Sequence, residues 1–169
     1  MIKQVLKLVG FVFLPCMLSG QQLVVQIEGD VYMNENLPAI SEAGTDYSTA
    51  LETQSVVYVS VLYDDQLNKG KNPNEKWRVF LHKQNMEWND ALVLETRRTG
   101  SGSRYNHPGN PNISDGENFR QITNNPAYFF RGRGEIVQIP LALKLNGFSL
   151  TLGAGDFETS LVFTVYDDW

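Results

Sequence analysis

Alternation of apolar and polar residues dominates this chain. From Phe157 to Tyr166 one set of alternate residues is Phe157, Thr159, Leu161, Phe163 and Val165, and the other is Glu158, Ser160, Val162, Thr164 and Tyr166. Side chains of a strand point to opposite faces in turn, so this run predicts a long β-strand. Ile136–Leu145 sets Ile139, Leu141, Leu143 and Leu145 on one side, and Pro140 within it predicts an edge strand or a bulge. Ser55–Tyr63 is apolar on both faces, which predicts a central strand. Trp77–Lys83 turns Trp77, Val79 and Leu81 inward, and Ala91–Thr99 aligns Leu92, Leu94 and Thr96. Leu23–Ile27 and Val31–Met33 read as one strand broken near Gly29. Tyr128–Arg131 and Phe148–Leu152 add two further extended pieces.

Turn signals separate these runs. Asn146-Gly147, the run Gly153-Ala154-Gly155-Asp156 and the polar loop Asp64–Lys76 are the clearest. Leu37–Thr53 reads as irregular, and Gly100–Pro126 is the longest irregular stretch, anchored by Tyr105, Ile113, Phe119 and Ile122. A loop of that length in a compact domain is functional or mobile. No helical period is sustained. About eight strands joined by Gly and Asn turns predict an all-β chain, an antiparallel β-sandwich of the immunoglobulin-like kind.

The first twenty residues change the picture of the N-terminus. Lys3 and Lys7 precede an apolar run from Leu8 to Leu18, and Leu18-Ser19-Gly20 is a small-residue exit. That is the pattern of a secretory signal peptide, too short to stop in a membrane. Cys16 would suit lipid attachment, but Pro15 stands where that pattern wants a small residue, so cleavage after Gly20 is the expectation. The chain thus divides into residues 1–20, a signal peptide, and 21–169, a single sandwich destined for the periplasm, cell surface or exterior. Cleavage removes two lysines and no acid, taking the net charge from −5 to −7. Nucleic acid and anionic membranes are poor partners for such a chain.

The candidate chemistry is sparse. His82 sits opposite Val79 and Leu81 and reads as a solvent-facing polar residue; His107 lies in the long loop. GxSxG, P-loop and HExxH motifs are absent, and two scattered histidines do not make a zinc site. The acidic pairs Asp64-Asp65 and Asp167-Asp168, and the stretch Asp115–Asn118, lack EF-hand spacing. The chain is therefore read as non-enzymatic, with no cofactor and no metal, and a hydrolase with a dispersed site stays as an alternative. Arg97, Arg98, Arg104, Arg131 and Arg133 are a basic cluster in an acidic chain. If the long loop folds over its flanking strands, Arg97, Arg104, Tyr105, His107, Arg131 and Arg133 would line a patch for an acidic or sugar ligand. Alternatively, Arg97 and Arg98 project to opposite faces and the others pair with nearby acids. Asn112-Ile113-Ser114 is a formal glycosylation sequon. Trp169 ends the chain as in outer-membrane barrels, but Asp167 and Asp168 interrupt that pattern.

The closing run from Gly153 to Tyr166 resembles the last strand of the pilin and spore-coat-U-like families, with Gly155, Leu161, Phe163, Val165 and Tyr166 fitting the outline. The resemblance implies a secreted, non-catalytic structural or adhesive surface subunit, built by the chaperone–usher route into fimbrium-like assemblies. It also implies that Gln21–Ile27, through Leu23, Val25 and Ile27, acts as a donor strand for a neighbour's sheet. Partners would then be further copies or another protein at a sheet edge. The other reading is a secreted carbohydrate- or protein-binding module that uses loop 100–126.

Overall fold

The computed structural model describes residues 3–8, 23–36, 50–53, 57–63, 75–105, 112–149, 152 and 155–168. They form thirteen strands: β1 (Lys3–Leu8), β2 (Leu23–Glu28), β3 (Val31–Asn36), β4 (Leu51–Glu52), β5 (Val57–Tyr63), β6 (Lys76–Glu87), β7 (Val93–Arg98), β8 (Ser103–Arg104), β9 (Asn112–Ser114), β10 (Arg120–Gln121), β11 (Ala127–Arg133), β12 (Ile136–Asn146) and β13 (Asp156–Asp167). Two sheets pack face to face. The first runs β3-β1-β13-β6-β11-β9, and the second runs β10-β7-β12-β5-β2 with β4 and β8 also on β12. From β13 to β9 the first sheet is antiparallel; β1 alone runs parallel to its neighbour β13. The antiparallel β-sandwich expected from periodicity is the fold. The strand number exceeds the expected eight because β1 falls in the expected leader segment, the expected Leu23–Met33 strand is two strands in different sheets, and β4, β8, β9 and β10 are only two or three residues long. Pieces that short carry no readable period. No helix among the described residues is long and apolar enough to cross a membrane.

The second sheet is built around β12. On one side β12 pairs with β7 along 141–146 and with β8 at 136–137; on the other it pairs with β5 along 136–141 and with β4 at 144–145. It is thus the central strand, not an edge. Proline is tolerated there because its carbonyl accepts from the N–H of Thr99 at 2.9 Å, one residue beyond the end of β7. Its missing donor therefore faces the place where the ladder stops. The expected bulge is present: the register shifts between Ile136 and Ile139, with Gln138 at φ 55°. The Ser60 hydroxyl accepts the Gln138 N–H at 3.0 Å, so the bulged donor is satisfied. Ile139, Leu141, Leu143 and Leu145 all point inward and are buried. β5 is interior in strand order, as expected. Val57, Val59, Val61 and Tyr63 face the core; on the other face Ser60 is buried, Leu62 half-buried and Tyr58 36% exposed.

β6 and β13 form the longest ladder, pairing from Glu158↔Glu87 to Asp167↔Trp77. Their inner residues Trp77, Val79, Leu81, Leu161 and Phe163 enter the core, as the alternation predicts. Gly29, at φ 108°, lets the chain leave β2 in the second sheet and enter β3 in the first. Of the expected strand Phe148–Leu152, the described residues 148, 149 and 152 are not part of a strand. Phe148 is buried, and the Leu152 N–H donates to the Ser149 carbonyl at 3.0 Å, closing a turn. A single plug residue, Phe148, produced the strand-like signal. The long stretch 100–126 is stitched to the sandwich by β8, β9 and β10, with Ile122 buried. Of the expected irregular stretch Leu37–Thr53 the described residues 50–53 include β4, and of the expected polar loop Asp64–Lys76 the described end opens β6; the rest of both lies outside the described residues, as do Cys16 and the acidic pair Asp64-Asp65.

At one end of the first sheet the Trp77 indole is fully buried and lies against Gly132 of the neighbouring strand. A Cβ at Gly132 would sit 2.3 Å from the Trp77 ring, closer than any real contact. Gly132→Ala is therefore expected to cost about 1–3 kcal/mol, the usual penalty of overpacking. Gly155→Ala, where the nearest foreign atom is 3.5 Å away, should change little by comparison. Urea unfolding of both variants measures the difference.

Candidate functional site

Adjacent arginines on β7 take opposite directions. Arg98 follows Leu94 and Thr96 on the inward face and is buried. Its guanidinium donates to the carbonyls of Asp115 (3.0 Å) and Gly100 (2.8 Å), to the Ser101 hydroxyl (3.3 Å) and to Glu117 Oε1 (2.9 Å). Its N–H donates to the Gly116 carbonyl at 2.6 Å. One buried cation thus fastens both halves of the long loop, a structural use of charge in which each guanidinium nitrogen is hydrogen-bonded. Arg97 points outward from the second sheet, pairs with Glu52 at 3.2 Å and lies 4.7 Å from the Phe119 ring centroid.

The six residues expected to share a patch do not share one. Arg97 is on the outer face of the second sheet, while Arg131 and Arg133 belong to β11 of the first. Arg104 and Tyr105 are exposed beside β12, with the Tyr105 N–H donating to the Glu135 carbonyl at 3.3 Å. His107 lies outside the described residues. The reason is strand order: β11 and β7 belong to different sheets, so their outward side chains face away from each other. Arg131 and Arg133 do come together, with residues that sequence reasoning passed over.

Alternation about Gly132 sends Arg131 and Arg133 to the outer face, because Gly132 faces inward onto Trp77. Register then builds two cross-strand rows. Ser114, Arg131 and Arg78 lie across β9, β11 and β6, and Asn112, Arg133 and Lys76 lie beside them. Together with Asp168 and Gly132, residues from these rows line an open cleft of about 320 Å³. Asp168 accepts from Arg78 at 2.7 Å, and its N–H donates to the Lys76 carbonyl at 2.9 Å, so β6 holds the chain end against the cleft. Arg131 is 59% exposed and leans on Asp115 at 3.5 Å. The next outward positions are aromatic. Phe80 meets Tyr128 at 6.0 Å and Tyr166 at 5.2 Å, both edge to face. The Tyr128 hydroxyl donates to Asp115; burial and this bond push its pKa up to about 12. The outward residues of Lys76–Lys83 were the signal for Lys76, Arg78 and Phe80, but only the register shows that β11 brings its arginines beside them.

The far end of β13 offers a different feature. β1 lies between β13 and β3, with Val5↔Asp156 to Leu8↔Thr159 on one side and Lys3↔Asn36 to Leu8↔Val31 on the other. Leu161 and Phe163 face the core, Val165 is half-buried and Tyr166 is exposed beside Phe80. Leu23, Val25 and Ile27, expected in a donor segment, are half-buried in β2, paired with β5 from Leu23↔Tyr63 to Glu28↔Tyr58. That stretch completes its own sheet, and the segment lying in a slot of the first sheet is β1.

Carboxylates gather where β6, β12 and β13 end. Glu135 is buried and accepts the Tyr63 N–H at 2.9 Å. Burial raises the pKa of Asp167, and burial with the nearby Asp167 charge raises that of Glu75. Burial, then the Glu75 charge, pushes Tyr63 to about 12. Among the described residues no group of three or more His, Cys, Asp or Glu is placed to hold a metal ion. His82 is half-buried opposite Val162, and its Nδ1 has no partner among the described residues.

No family model, curated protein or solved structure matches the chain.

The raised carboxyls fix the direction of a pH dependence. The folded state holds their protons more tightly than the unfolded chain, so stability falls as pH rises from the ordinary carboxyl range, about 4, through the raised values. Asp167→Asn is expected to raise stability at neutral pH and to lose that advantage near pH 4, measured by urea unfolding across the range.

Proposed function

We propose that this chain is a secreted, non-catalytic structural or adhesive surface protein, a pilin-like subunit that joins partners through the edge of β13. The observation that carries this reading is the position of β1. Its residues Lys3–Leu8 fall within the segment whose sequence has the character of a cleaved leader. Removal of that leader leaves the edges of β13 and β3 facing an empty slot along Asp156–Thr159. Unpaired N–H and C=O groups on such edges recruit another strand, and alternating side chains set its register. The Ig-like sandwich and the resemblance of the closing strand support the same reading.

The test follows the protein through a bacterial secretion route. Mass spectrometry is expected to find a chain beginning near Gln21, and gels without denaturant should show multimers. A synthetic peptide of residues 3–8, added in trans during refolding, should occupy the slot and suppress them. A processed chain that stays monomeric at all concentrations, with or without the peptide, overturns the proposal.

A further inference from the structure

We infer that the cleft at the β6–β11–β9 end of the first sheet binds an acidic saccharide, with the sugar carboxylate held by Arg131, Arg133 and Lys76. This goes beyond the assembly reading and does not depend on it. The cleft is at the Asp168 end of β13, whereas the strand slot is at Asp156–Thr159.

Charge is the first argument. Three cations and one carboxylate line the cleft, in a chain whose net charge is −5. An anion is repelled by the protein at large and attracted at this place, which localises binding. Two arginines and a lysine on adjacent strands present several N–H donors across one concave surface, a geometry suited to a planar carboxylate.

The neutral and acidic groups narrow the ligand class. Asp168 can only accept hydrogen bonds, so it opposes a bare sulfate or phosphate and favours a ligand that also carries hydroxyl donors. Asn112 and Ser114 line the same wall and can both donate and accept. A uronate or sialate sugar combines one carboxylate with several hydroxyls, which matches this set. Tyr166 is 43% exposed and stands next to Arg78 and Phe80, offering an aromatic surface to the apolar face of an adjoining sugar ring. The cleft volume, about 320 Å³, lies at the lower end of small-ligand sites.

Rigidity is the third argument. Every lining residue except Asp168 and Gly132 projects from a paired strand position toward solvent, and Gly132 is pinned to the buried Trp77. Groups mounted on paired strands keep their spacing without the cost of ordering a loop.

The test uses the full chain and isothermal titration calorimetry at low salt. The probes are trigalacturonate, N-acetylneuraminate, maltotriose and sodium sulfate. At least one of the two acidic sugars is expected to bind, with maltotriose and sulfate weaker by about tenfold or more. The double variant Arg131→Gln with Arg133→Gln should lower acidic-sugar affinity by about tenfold or more while keeping the parent thermal midpoint. Should that variant unfold, Lys76→Gln, at an exposed position, carries the same test. Asp168→Asn should weaken the sugar and leave sulfate unchanged or stronger. The proposal is overturned if neither acidic sugar binds, if sulfate binds as tightly as the sugar, or if the arginine variants bind as the parent does.

Discussion

The contact between the Trp77 indole and Gly132 is the constraint on which the cleft end of this sandwich depends. The ring is fully buried, meets Phe130 edge to face at 6.0 Å, and donates from Nε1 to the Gly134 carbonyl at 2.7 Å. That bond holds Gly134, at φ 73°, in the turn that carries the chain from β11 toward β12. The next residue, Glu135, caps β5 through the Tyr63 N–H. A single indole therefore fixes the pairing of β6 with β11 and the crossing between sheets. It also decides which way the arginines face, since an inward Gly132 requires an outward Arg131 and Arg133. Without a side chain at position 132 the two strands approach closely enough to seat the ring.

Face assignments were legible in the sequence because a strand's period is local. The inward sets of β6, β12 and β13 follow directly from alternation at Trp77, Ile139 and Leu161. Pairing is not local, and the misreadings follow from that. Pro140 reads as an edge residue until β7 is seen to end beside it. Phe148 reads as part of a strand because one buried ring and two neighbouring leucines imitate alternation. The arginine cluster was visible as composition, yet Arg97, Arg98 and Arg131 went to an outer face, a core and the opposite outer face. Arg98 was legible in principle, being two residues beyond Thr96 on the inward set. Lys76 and Arg78 occupy the polar half of the same alternation, and their proximity to β11 is a property of register alone.

The two features of the first sheet lie at opposite ends of β13. Thr159 and Asp168 are nine positions apart, roughly 30 Å along an extended strand. The proposed strand-joining edge and the proposed saccharide cleft would therefore not compete for the same surface. The long ladder between β6 and β13 makes that separation stiff. Arg98 adds to that stiffness by holding Gly100, Ser101, Asp115 and Glu117 against the sandwich beside β9.

The alternation around Gly132 also bears on how this surface can change over generations. Residues 130 and 132 face the packed interior and tolerate little, whereas 131 and 133 face solvent from the same strand. A substitution at 132 meets the Trp77 ring, whereas one at 131 or 133 changes the charge of the outer face without touching the core. The proposed recognition at this face could thus be altered by point substitutions that leave the sandwich able to fold.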